Sequence, residues 1–462
     1  MATADGTELV QIDALGANGA FRARSRLTVT DVAGNGVAEL SQVPSLFVDR
    51  TMSALRRATS LPADDRIKLI SRAAELFAAA TLNGQSVEDY QHAASRVGGI
   101  PITAVRDATA TIVARLATVD RTVAHARPAG SVADWRDPRT HGGCAVWTRR
   151  GDVFAVHAAG NHPGPHGTWP EALALGYRVA VRPSRREPFT PYRLITALRT
   201  AGFGDDQVAL LPTAHEHAGA VLRDADLGMV YGGADVVRQY GVDPTVLPQG
   251  PGRSKILVTS DVDWRDHLDT IVRSVSHHGG VGCINTTAVF VEGDPTDLCA
   301  ALSERLATMP SFPPEDDKAV LPVQPAAAAR KITEFARTRA DGARAWLGGD
   351  GIVHELGDGS AVLRPAVYQL DRPDAPQTGV ELPFPCVWVA PWTPEAGVAV
   401  LRETLVLTAI TQREELIGRL LDEQTISNVY MGNYPTYYMA PELPHDGYLA
   451  DFLMRTKAVI RN

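Results

Sequence analysis

The chain predicts an α/β protein with two parallel-sheet domains, and three observations carry that expectation. Short apolar runs alternate with helical segments across residues 153–258, the pattern of strand–helix–strand units whose strands run parallel. A second α/β region follows over residues 262–428. The 462 residues also exceed what one hydrophobic core usually serves.

Taken in order, helices come first. Over residues 46–116 apolar side chains recur at spacings of three and four, as in Asp64-Asp65-Arg66-Ile67-Lys68-Leu69-Ile70-Ser71-Arg72-Ala73-Ala74-Glu75-Leu76-Phe77, where an acidic first turn precedes the apolar stripe. These are amphipathic covering helices. Strands are expected at 153–158, 178–182, 208–211, 227–231 and 255–259. Helices are expected at 296–308 and 326–338, with the Pro-rich stretch 310–325 as a connecting loop. The tail from Tyr430 is rich in tyrosine and proline and ends in a short strand at 455–461.

Composition excludes several classes. Apolar residues make up 45% and charged residues 21%, which fits a globular chain and not a disordered one. A net charge of −8 offers no footprint for nucleic acid or an anionic membrane, so an anionic ligand must be held by local groups. Cys144, Cys283, Cys299 and Cys386 lie far apart without CxxC or Cys/His spacing, so neither a disulfide framework nor a metal site is indicated and a reducing, cytoplasmic setting is expected. Asp5 and Glu8 interrupt the start where a leader would be apolar, and no stretch has the length of a membrane span.

Four segments carry candidate chemistry. Cys283 lies in His277-His278-Gly279-Gly280-Val281-Gly282-Cys283-Ile284-Asn285, just before an apolar alternation, which puts a thiol at a loop-to-strand entry. It is either a nucleophile or a small buried hydrophobe. Residues 154–158 run into Ala159-Gly160-Asn161-His162-Pro163-Gly164, a polar loop at a strand's carboxyl end, where Asn161 offers an oxyanion donor or simply turn chemistry. Arg182-Pro183-Ser184-Arg185-Arg186 puts a basic cluster at another strand end, for phosphate or as a solvated turn. Tyr231-Gly232-Gly233-Ala234 places paired glycines between a strand and a helix, a geometry that admits pyrophosphate.

In this order the segments resemble the aldehyde dehydrogenase superfamily, from about Val29 to the C-terminus. Asn161 stands where the family's Pro-Trp-Asn asparagine belongs. Arg182-Pro183-Ser184 resembles the Lys-Pro-Ser that meets the adenosine ribose, Gly232-Gly233 the turn facing the pyrophosphate, and Cys283 the nucleophile. Glu381-Leu382-Pro383-Phe384 resembles the segment whose glutamate holds the nicotinamide ribose. The resemblance implies an aldehyde dehydrogenase-like α/β fold. Its parts would be a Rossmann-like cofactor domain over 1–118 and 149–256, a catalytic domain with Cys283 over 257–430, and an oligomerisation element over 119–148 and 431–462. A homodimer or homotetramer is implied as well.

One departure redirects the expected product. Where the family has Glu-Leu-Gly-Gly-Lys-Ser-Pro, this chain has Gln249-Gly250-Pro251-Gly252-Arg253-Ser254-Lys255, so Gln249 replaces the glutamate that activates water. A neutral amide cannot accept that proton. The expectation is therefore the acyl-CoA reductase branch: NADPH-dependent reduction of an acyl or aryl thioester to an aldehyde through Cys283. The acyl group would come from CoA, a carrier protein or a partner enzyme. The alternatives are NAD(P)-dependent oxidation of an aldehyde to an acid, with water activated by another group such as a loop histidine, and a catalytically silent scaffold of the same fold. His278 or His162 is the candidate acid/base near the thiol, against loop polarity or packing. Arg185 and Arg186 stand where NAD-preferring relatives often carry an acid, which favours NADP while leaving NAD available.

Overall fold

The computed structural model describes residues 9–462. The expected residues 1–8 of the cofactor domain lie outside the described residues. Four helices, α1 (Ser45–Arg57), α2 (Ala63–Ala79), α3 (Val87–Gly98) and α4 (Ile102–Ala117), occupy the stretch where helical periodicity was strongest. A capping box between Ser86 and Asp89 starts α3, and Gly99 ends it in the left-handed region at φ 64°.

The first large sheet holds β1 (Ala14–Gly16), β2 (Gly19–Phe21), β3 (Val153–His157), β4 (Arg178–Arg182), β5 (Val208–Leu210), β6 (Leu227–Tyr231) and β7 (Val246–Gln249). Its order is β7-β6-β3-β4-β5-β1-β2. The five strands from β7 through β5 in this order are parallel. Phe154, Val156, Val179, Val181 and Met229 are buried in the core on one face and Val153, Ala155, Ala180 and Ala209 in that on the other, which explains why these strands read as continuous apolar runs. The antiparallel β1 and β2 were not expected, because three-residue strands are too short to show alternation.

The second sheet holds β8 (Ser254–Val258), β9 (Thr286–Glu292), β10 (Arg344–Leu347), β11 (Ala366–Gln369), β12 (Cys386–Trp392), β13 (Thr404–Ile410) and β14 (Ile426–Met431), in the order β10-β11-β12-β9-β8-β13-β14. Only β10 is antiparallel to its neighbour. Two expected boundaries need correction. The chain crosses between sheets at residues 250–253, so β8, placed mostly in the cofactor domain by the sequence, pairs with β9 and β13 in the catalytic sheet. Within the expected oligomerisation element, Val119–Ala126 is an α-helix, while Met454–Val459 pairs with Cys144–Arg149 in a small separate sheet. Residues 434–448 belong to neither, because they fold over the cleft between the two large sheets. Among the described residues no helix is long and apolar enough to cross a membrane.

Candidate active site

The carboxyl ends of the first sheet and the amino ends of the second face one cleft of about 1050 Å³. Ala158, Tyr231 and Gln249, at or just past the ends of β3, β6 and β7, line it together with Thr286 and Cys386, which begin β9 and β12. The strand order makes one side of this cleft a ligand crevice. From β3 the chain moves one way through β4 and β5, then returns to β6 and β7 on the other side, so the loops after β3 and β6 part at a topological switch point.

Cys283 sits at the opposite wall. Asn285 braces its loop: Oδ1 accepts from Gly282 N at 2.8 Å, and Nδ2 donates to the carbonyls of His277 and Ser274 at 2.9 and 3.2 Å. Ser254 Oγ donates to the Cys283 carbonyl at 3.1 Å. A Cβ on Gly252 would lie 1.8 Å from that same carbonyl oxygen, so the inter-sheet crossing must be glycine where it passes the nucleophile loop.

Cys283 Sγ lies 3.9 Å from His445 Nε2, and His445 Nδ1 lies 3.4 Å from Asp446 Oδ2. Burial alone would lower the pKa of His445, but hydrogen bonds to Asp446 and Cys283 outweigh it and raise the value to about 10. Asn428 Nδ2 holds the backbone by donating to the carbonyls of His445 and Leu405. Further along, Ala450 N donates to Glu171 Oε1 at 3.2 Å, and burial raises the Glu171 carboxyl to about 7. Arg115 completes this wall, its Nη1 donating to Thr168 Oγ1 at 2.8 Å while burial lowers its pKa.

The expected histidines form a different group. Gly164 N–H donates to His162 Nδ1 at 3.0 Å, which leaves the ring proton on Nε2 to donate to His278 Nδ1 at 3.0 Å. His278 Nε2–H then donates to Asp107 Oδ2 at 2.7 Å. All four ring nitrogens are engaged, so neither His162 nor His278 keeps one for the thiol, and the acid/base expectation for them is corrected on that ground. His277 stacks between His278 and Tyr437, with both centroid separations 3.7 Å. Burial pulls His162 well below the usual histidine range and His277 to about 4. Ligand atoms of Asp107, His277 and His278 lie within 4.8 Å of one another. His278, however, already commits both ring nitrogens, to His162 and Asp107.

The crevice suits a dinucleotide. Gly233 lines it, and a Cβ added there would meet nothing within 4 Å, so a side chain would stand in open crevice space. A Cβ on Gly160 would lie 2.0 Å from Ser184 Oγ, which brings the Asn161 loop against the Arg182–Arg186 turn. Ser184, Arg186, Gly232 and Glu381 also line the cleft. Arg182 Nε donates to Thr213 Oγ1 at 2.8 Å and Arg186 Nη2 to the Gly98 carbonyl at 3.2 Å, while Arg185 is exposed. Glu381 Oε1 accepts from Arg253 N at 2.6 Å, and burial raises its pKa. Asn161 Nδ2 donates to the Val281 carbonyl at 3.0 Å, joining the crevice loop to the cysteine loop.

Residues 37–448 match the sequence profile of the Aldehyde dehydrogenase family. The chain belongs to the aldehyde dehydrogenase family. It is 24% identical over 251 residues to the 2-hydroxymuconic semialdehyde dehydrogenase of Pseudomonas sp. (strain CF600), covering 51% of each chain. To human Aldehyde dehydrogenase 1A1 it is 27% identical over 131 residues, 26% of each chain. The matched part thus spans about half of the first relative's length and about a quarter of the second's. Two solved structures share the fold: an Indole-3-acetaldehyde Dehydrogenase complexed with NAD+ (17% identical, TM-score 0.83, covering 98% of this chain and 97% of that one) and an E. coli NADP dependent enzyme (15%, TM-score 0.80, covering 97% and 98%). Within this aldehyde dehydrogenase fold the structure brings Cys283, Asn161, Gln249, Ser184, Arg186, Gly232, Gly233 and Glu381 to one cleft and leaves Arg182 and Arg185 off its lining. Sequence reasoning missed His445, Asp446, Arg115 and Glu171. The adjacent His-Asp of Pro444-His445-Asp446-Gly447 was the one available signal, and it lay in a stretch assigned to assembly.

Proposed function

We propose that this chain oxidises an aldehyde to a carboxylic acid with NAD(P), through an acyl-enzyme on Cys283. The observation that carries this is the position of the Cys283 sulfur, in the cleft that the switch-point crevice shares with the second sheet. Attack by the sulfur on the carbonyl carbon gives a thiohemiacetal. Asn161, with one amide N–H on Val281, keeps its second for the developing oxyanion. When bound, the dinucleotide supplies the hydride acceptor. Gly232, Gly233, Ser184, Arg186 and Glu381 would hold it. Water then releases the acid, and because Gln249 cannot take its proton, a group outside the family's usual base must do so. Purified protein with NAD(P)+ and a panel of aliphatic and aromatic aldehydes should form NAD(P)H and free acid without an added thiol. NAD(P)H formation only with added CoA, with acyl-CoA as the product, would overturn hydrolysis.

Gln249 favours a second reading, thioester reduction, in which Cys283 takes an acyl group from CoA, a carrier protein or a partner enzyme. NADPH consumption with acyl-CoA, with no turnover of free aldehyde and NAD(P)+, selects it. For the cofactor we favour NADP. Arg186, which lines the cleft, and exposed Arg185 are the cations beside Ser184 for a 2′-phosphate. Equal kcat/KM for the two dinucleotides, or an Arg185→Glu, Arg186→Glu double variant with unchanged preference, refutes this. Four free cysteines fit a reducing, cytoplasmic setting. The small sheet is a candidate surface for self-association, which light scattering measures.

A further inference from the structure

We propose that His445, oriented by Asp446, is the proton acceptor for Cys283 and then for the water that resolves the acyl-cysteine. This deepens the oxidation reading and rests on it. The assignment starts from geometry. His445 Nε2 is the polar side-chain atom within hydrogen-bonding distance of Cys283 Sγ, at 3.9 Å, and the ring's other nitrogen faces Asp446. Its backbone is pinned by Asn428, and its side chain keeps 26% of its surface exposed, which gives a bound proton a route to solvent.

At rest the Cys283 proton already sits on Nε2, so in the first half-reaction the sulfur bonds to the carbonyl carbon and the carbonyl electrons become the oxyanion. Collapse of the oxyanion to a thioester would release a hydride, which a dinucleotide held by Ser184, Arg186, Gly232, Gly233 and Glu381 would accept. Acylation removes the sulfur charge that helps hold a proton on His445, so the ring releases that proton to solvent and regains a free lone pair. In the second half-reaction water oxygen bonds to the acyl carbon and its proton passes to Nε2. The carbon–sulfur bond breaks, leaving free acid and the Cys283 thiolate beside the His445 imidazolium. The sum is aldehyde, NAD(P)+ and water going to acid, NAD(P)H and one proton. The charged and titratable groups around the pair are Asp446 on the same loop, Glu171 and Arg115 on the adjoining helices, and Tyr231 at the end of β6. Of these, Asp446 is a positioning residue.

The decisive readout needs no dinucleotide. Alkylation of Cys283 by iodoacetamide, followed by peptide mass spectrometry across pH 5–10, is compared between wild type, His445→Gln and Asp446→Asn, each checked by circular dichroism. The expected result is at least a roughly tenfold slower alkylation of His445→Gln at neutral pH and a changed pH profile. Asp446→Asn falls between. Acid formation by His445→Ala should drop by about 10²- to 10⁴-fold and be partly restored by added imidazole. Superimposable alkylation profiles for wild type and His445→Gln overturn the proposal. If wild type oxidises no aldehyde yet the profile shifts with His445, the oxidation reading fails while the proton transfer from Cys283 stands.

Discussion

The His162–His277–His278 group and the His445–Asp446 pair line the same cleft, yet their chemistry diverges. In the first, each ring nitrogen of His162 and His278 is committed to a neighbour in a chain that ends on Asp107, and burial depresses the pKa values. In the second, burial is outweighed by a carboxylate on one side and a thiol on the other. Proximity to the cysteine in sequence favoured the first group, five and six residues before Cys283 for His278 and His277. Availability of a ring nitrogen favours the second, 162 residues away.

That contrast breaks if both groups respond alike to mutation. The largest expected difference is in rate: His445→Ala loses about 10²- to 10⁴-fold in acid formation, while the double variant His162→Ala, His278→Ala loses less than about tenfold and instead destabilises the fold by about 1–3 kcal/mol. Stopped-flow NAD(P)H formation and urea titration read the two quantities.

Next is acid stability. The depressed pKa values mean that the folded state resists protonating these rings, so their stabilisation is present above the unfolded value of about 6.5. It is lost as pH falls from there through about 4, where His277 titrates in the fold. Urea midpoints should therefore drop between pH 7 and pH 4, and His277→Phe, which keeps an aromatic ring against Tyr437, should flatten that drop. A steeper dependence in the variant contradicts the assignment.

A smaller effect tests replacement directly. Gln249→Glu in the His445→Gln background should recover about tenfold in hydrolysis of acyl-Cys283, seen as faster loss of the acyl adduct by intact mass, because a carboxylate restores a base to the cleft. No recovery means that Gln249 does not face the acyl carbon. Smallest is Asn428→Ala, expected to cost about 1 kcal/mol through its two carbonyl contacts and to slow turnover a few-fold by loosening His445.

Much of the fold was legible because its parallel strands are buried on both faces and so spell continuous apolar runs. The strands at 153–157, 178–182 and 227–231 depart from expectation by no more than one residue. The boundary between the sheets was not legible, since β7 and β8 are separated by only four residues and each reads as a strand. At the site, glycine and cysteine announced themselves through local backbone demands. His445 did not, because residues 434–448 have no periodicity and their placement is decided by distant partners such as Thr286, Ser274 and Asn428. The arginine cluster shows the converse: three cations within five residues look equivalent in sequence, but Arg182 bonds Thr213 and Arg186 bonds Gly98.

The loop that carries His445 is anchored at one end by β14 of the catalytic sheet and at the other by the strand Met454–Val459 of the small sheet. Mechanically it is a tether between two frames, with the imidazole near its downstream end. Any load applied to the C-terminal strand, whether a fused tag, a truncation or a docking chain, is therefore transmitted to the distance between ring and sulfur, and the far edge of the molecule becomes a handle on its chemistry.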